Sequence, residues 1–210
     1  MFMPLFTSFL LFVLVIRYAI KRGDDRKRSA DAEFWRRERE ANFVRKKNLD
    51  SLDYIRVPLE RLPFGALPGN AIVENAEKTV RALAEKRILN LTGLSNTDVK
   101  LAYGTANLPV LTEYDQNYMD LVTSLQAWAG ELYAESLFEQ ALSILDYAIG
   151  IKTDVSHTWH LYIDCIRFHA GYDTEESRSV LKSRLPVAES LTSLSRDGIV
   201  KELREAIGEP

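Results

Sequence analysis

The sequence predicts an all-α protein, with an N-terminal single transmembrane helix followed by a body of helical hairpins. Three observations carry this. Phe2 to Ile16 contains no charge, apolar residues recur at three- and four-residue intervals from Ile72 onward, and Ser95, Gly104 and Gly171 punctuate that rhythm as caps and stops. Four segments follow: an anchor at residues 1–20, a basic juxtamembrane helix at 21–47, a proline-containing extended stretch at 48–70, and a helical domain at 71–210.

The first segment gains length if Arg17 extends its charge toward the headgroups, so that the apolar run reaches Ile20 and meets the roughly 20 residues a spanning helix needs. A cleaved signal peptide would place basic residues before the apolar run and small residues after it. Here nothing basic precedes Phe2, and Arg17, Lys21 and Arg22 follow. The same bias predicts a cell-membrane location with the C-terminal domain on the cytoplasmic side.

Charge divides the chain further. Residues 17–47 hold twelve Lys or Arg against six Asp or Glu, while residues 48–210 hold fifteen against twenty-four. The basic collar predicts contact with anionic lipid, and the acidic body argues against nucleic acid. The lone cysteine, Cys165, excludes a disulfide framework and suits a reducing compartment.

Segment 24–47 is charged nearly all round, with Phe34, Trp35, Phe43 and Val44 as its large apolar residues, and reads as a helix supported by pairs such as Glu33 with Arg37. Pro58, Pro63 and Pro68 exclude a continuous helix over 48–70. The apolar content there, Ile55, Val57, Leu62 and Phe64 among others, predicts an extended segment packed along the domain with one short helical turn at Pro58–Leu62. The alternative reading is a docking segment for another protein. Helical periodicity then runs from Ile72 to Leu89, and Ser95 or Asn96 caps a short helix ending at Gly104.

After Pro109 the spacing of Tyr114, Tyr118, Val122, Leu125, Trp128, Ala129 and Leu132 predicts one helix. Ala141, Leu145 and Ala148 predict a second, joined to it by a turn near Glu135–Phe138. Ser156 or Thr158 begins a third helix carrying Trp159, Tyr162, Ile163 and Ile166 and ending at Gly171. Asp173 and Thr174 open a fourth toward Leu185, Pro186 begins a short further segment, and a last helix covers about 197–207.

An offset of 34 residues superposes Leu125 on Trp159, Trp128 on Tyr162, Ala129 on Ile163, Leu132 on Ile166 and Phe138 on Tyr172. Over residues 122–185 the pattern resembles the tetratricopeptide repeat, with Ser136 where a turn glycine often sits. The second copy departs from it: Glu175, Ser179 and Lys182 fall where Ala141, Leu145 and Ala148 set an apolar expectation, so its second helix must be rotated or shifted. The resemblance implies a helical solenoid whose first helices form a peptide-binding face. The residues matching that face include Gln126, Tyr133, His157, His160, Asp164 and Arg167.

His157, His160 and Asp164 share one helical face and have the donor chemistry for zinc or iron, but three ligands on adjacent turns do not converge without a fourth, and Cys165 and His169 project elsewhere. No metal or cofactor is expected. "LPFGALPGN" lacks the lysine and spacing of a phosphate loop, and no catalytic set is visible, so the chain is not expected to be an enzyme. The function expected is a membrane-anchored adaptor for an unknown cytoplasmic protein, or else a structural subunit of a membrane complex.

Overall fold

The structure, a computed structural model, describes the backbone of residues 3–169 and 174–208, and the side chains of these except 3–8, 10, 11, 14, 24–26 and 174. Among the described residues every regular element is helical: α1 (Met3–Asn42), α2 (Ala71–Ala84), α3 (Asn96–Tyr103), α4 (Leu108–Ala134), α5 (Phe138–Gly150), α6 (Ser156–Asp164), α7 (Thr174–Glu189) and α8 (Arg196–Ile207). They form two compact units, Met1–Asn48 with Ser95–Leu108, and Leu49–Leu94 with Pro109–Pro210.

The first unit corrects the reading of residues 4–20. Among the described residues no helix is long and apolar enough to cross a membrane. Arg17, Lys21 and Arg22 enter the helix within the length of roughly 20 residues that a span requires. With the anchor fall the single-pass location at the cell membrane, the cytoplasmic orientation, the lipid contact at residues 17–47, and both the membrane-adaptor and membrane-subunit readings. Charged residues instead carry α1 forward without a break to Asn42.

The C-terminal part of α1 packs on α3. Glu38 accepts a 2.7 Å hydrogen bond from Thr97 and pairs with Lys100, while Arg37 pairs with Asp98 at 2.8 Å. Glu33 and Glu40 both pair with Arg36 at 2.5 Å, so the expected Glu33–Arg37 partnership gives way to an i,i+3 pair and frees Arg37 for α3. Ser95 and Asp98 form a reciprocal capping box at the start of α3. The bonds from Ser95, with the Arg37 charge, hold the Asp98 carboxyl below its ordinary range. Those from Lys100 and Thr97 do the same for Glu38. The loop after α1 is tied to the end of α3 by Lys47 N–H donating to the Tyr103 carbonyl at 3.1 Å and Asn107 Nδ2 donating to the Lys47 carbonyl at 2.8 Å.

In the second unit, α2 and α4–α8 share a core centred on Leu125, Trp128, Ala129, Leu132, Leu145, Trp159, Tyr162 and Ile166, all buried. α2 stops at Ala84, before the predicted Leu89, because the next backbone groups bond elsewhere: the Ile88 carbonyl accepts from Ile55 N–H and Leu89 N–H donates to the Tyr114 carbonyl. α6 opens at Ser156 after Val155, with no side-chain cap at the expected Ser156 or Thr158. α7 continues through Pro186 to Glu189, where a new segment was predicted. On α7 the buried Ser177 and Leu181 lie two residues beyond the positions that a 34-residue repeat assigns to Glu175 and Ser179, which are exposed. Gly171, Tyr172 and Asp173 lie outside the described residues.

α4 and α5 are joined by a three-residue turn in which Ser136 adopts φ 62°, with Leu137 N–H bonded to the Leu132 carbonyl at 2.8 Å and Ser136 N–H to the Tyr133 carbonyl at 3.0 Å. This six-to-one and five-to-two pairing ends a helix at a left-handed residue, a place where glycine is favoured. The same pattern recurs after α5, with Lys152 at φ 62°. Removing the side-chain strain outweighs the extra chain entropy that glycine loses on folding, so Ser136→Gly should raise stability by about 0.5–1 kcal/mol in denaturant titration.

The proline-containing stretch is an ordered strap on this unit. Leu62 is buried, Ile55, Val57, Leu59 and Phe64 pack on the core, and a single 3-10 turn covers Leu59–Arg61, near the position the prolines predict. Helix side chains hold its main chain: Tyr147 Oη donates to the Arg56 carbonyl at 3.1 Å, Glu77 accepts from Gly65 N–H at 2.6 Å, and Glu74 accepts from Gly69 N–H at 2.9 Å.

Candidate functional site

α4 and α6 open two successive stretches of the second unit, and the six sequence-selected residues lie on them or directly after. The structure joins two of the six: Tyr133 Oη donates a hydrogen bond to Asp164 Oδ2, and this contact, aided by burial, pushes the Tyr133 phenol up to about 12. His157 and His160 are exposed, with ring centroids 6.3 Å apart. His160 Nδ1 lies 2.6 Å from Glu202 Oε1 on α8. Arg167 is exposed, with its guanidinium 5.0 Å from the Phe168 ring centroid, and Gln126 is half-buried on α4. His157, His160 and Asp164 therefore do not converge. Among the described residues no group of three His, Cys, Asp or Glu side chains is arranged to hold a metal ion.

His169 is placed where an α-helical count does not put it. α6 passes at Cys165–His169 into a π-helical turn, whose i→i+5 spacing brings residues 164 and 169 to the same side. His169 Nε2 stands 4.0 Å from Asp164 Oδ2, and its ring stacks on Phe138 with centroids 3.7 Å apart and planes 11° apart. Tyr133 meets both rings edge-on at 5.3 and 5.8 Å. The expectation that His169 points away from Asp164 is corrected by this turn.

A second feature was not legible as a site. A cavity of about 720 Å³ opens between α5, α6, α7 and the Pro58–Leu62 part of the strap, and none of the six selected residues lines it. Phe138, Leu142, Ile166 and Val180 supply apolar wall. The polar wall is a three-helix network in which Arg184 pairs with Asp146 and donates through Nε to Tyr162 Oη at 3.2 Å, with Tyr162 Oη 3.5 Å from Asp146 Oδ1. Burial pushes the Tyr162 hydroxyl up, so it remains protonated at neutral pH. Cys165 lines the same cavity and is fully buried. Burial first, then the nearby Asp164 charge, lifts its thiol to about 11, which leaves little thiolate and little nucleophilic character. Helical spacing in the sequence marks Leu142 with Asp146 on α5, and Val180 with Arg184 on α7, as sharing a face; only packing brings these faces and Tyr162 together.

No family model, no curated protein and no solved structure matches this chain.

Proposed function

We propose that the second unit is a protein-binding module of tetratricopeptide-like construction, without chemistry of its own, that receives a partner segment on the face carrying Gln126, Tyr133, His157, His160, Asp164 and Arg167. The observation that carries the reading is the Tyr133–Asp164 bond, which ties α4 to α6 beside exposed His157, Arg167 and Phe168. A fixed backing for exposed polar and aromatic side chains reduces the ordering cost of association. The repeat construction is supported by the shared burial of Leu125 and Trp159, Trp128 and Tyr162, Ala129 and Ile163, and Leu132 and Ile166 at the 34-residue offset. The two-residue shift of α7 argues for a degenerate second copy. A random-peptide display selection on the full chain tests this. Enriched peptides should bind the native protein and lose at least tenfold in affinity to a folded His157→Ala, Arg167→Ala double variant. Absence of enrichment, or equal binding to that variant, would overturn the assignment.

A further inference from the structure

We propose that the cavity between α5, α6 and α7 is a second, separate binding site, which seats an extended peptide by one leucine-sized apolar side chain and its flanking main-chain amides. The volume, about 720 Å³, falls within the range of ligand sites, and the chemistry of the wall is divided. Leu142, Ile166 and Val180 offer an apolar surface for the side chain. Beside them stand Arg184, a donor with five N–H groups of which Asp146 and Tyr162 occupy only part, and Asp146, an acceptor with a second carboxylate oxygen. A donor next to an acceptor matches an amide group, which presents C=O and N–H together. A free carboxylate would use Arg184 and be repelled by Asp146.

The choice of an extended chain as occupant rests on the strap. This unit already holds one extended segment of its own chain in this manner, with helix side chains satisfying main-chain groups: Tyr147 at Arg56, Glu77 at Gly65, and Glu74 at Gly69. Pro58 and Leu62 of that strap form one wall of the cavity, so an incoming segment would lie beside a chain bound in the same way.

Titration of the full chain with the blocked peptide acetyl-Ala-Ala-Leu-Ala-Ala-amide, followed by NMR shifts of leucine, isoleucine and valine methyls up to about 1 mM peptide, tests the proposal. The expected result is saturable binding, weakened at least tenfold when the peptide's leucine becomes serine, and weakened as much by Asp146→Asn and by cavity-filling Leu142→Trp. Asp146→Asn keeps the side-chain shape, so it serves if Leu142→Trp does not fold. His157→Ala with Arg167→Ala should leave this binding unchanged. Absence of saturation, equal binding of the serine peptide, or retention by folded cavity variants would overturn the site. Loss only in the His157, Arg167 variant would overturn the cavity while supporting the α4–α6 face, so the two readings fail separately.

Discussion

Trp128→Ala should destabilise the second unit by about 3–5 kcal/mol, the range for deleting a large aromatic side chain from a packed core. Trp128 is fully buried on α4, and the Phe64 ring of the strap lies against it with centroids 4.9 Å apart. The Arg81 guanidinium lies over the Phe64 ring, 3.7 Å from its centroid. The substitution therefore empties a space bounded by a core helix and by the strap, which Phe64 anchors there. Among the described residues the Trp128 Nε1–H has no hydrogen-bond partner, and an unmade buried bond itself costs about 1–3 kcal/mol. Trp128→Phe removes that donor while retaining a ring, so it should cost far less than alanine. Denaturant titration of the three proteins checks both statements; equal losses for alanine and phenylalanine would show that ring volume is not what Trp128 contributes.

Gly104→Ala should cost about 3 kcal/mol or more, felt in the first unit. Gly104 ends α3 at φ 90° and ψ 144°, a conformation nearly restricted to glycine. A Cβ there would also lie 2.3 Å from the Arg45 carbonyl oxygen and 2.9 Å from Lys46 Cα, atoms of main chain that cannot rotate aside. Gly65 separates the two effects: its φ is also positive, at 76°, but nothing lies within 4 Å of an added Cβ, so Gly65→Ala should cost only about 1 kcal/mol. Amide hydrogen exchange at Lys47, whose N–H is bonded to the Tyr103 carbonyl, reports the first unit directly. Undiminished protection there in Gly104→Ala would contradict the predicted clash.

The helices of the body were legible because burial imposes a period. Leu125, Trp128, Ala129 and Leu132 repeat at helical spacing and are buried together, and Ser95 and Gly104 bound a helix by local hydrogen bonds that their side chains or φ permit. Local signals fail where tertiary partners decide. The end of α2 depends on Ile55 and Tyr114, which claim the backbone of Ile88 and Leu89. The face of His169 depends on a π-helical turn that no residue type announces. The sequence-selected face rests on repeat spacing, whereas the Asp146–Tyr162–Arg184 network required three helices to be packed first. Apolar content over residues 4–20 suggested a spanning helix, but among the described residues no helix is long and apolar enough to cross a membrane.

The strap also bears on the order in which the second unit assembles. The α4–α5 turn closes over neighbouring residues and can form within a local search, but the Tyr147 bond to Arg56 spans 91 positions and the Thr192 bond to the Thr92 carbonyl spans 100. Contacts of such separation require the chain entropy of long loops to be lost before they return any stabilisation. Hairpin formation should therefore precede strap docking, with residues 49–70 arriving on helices already in place.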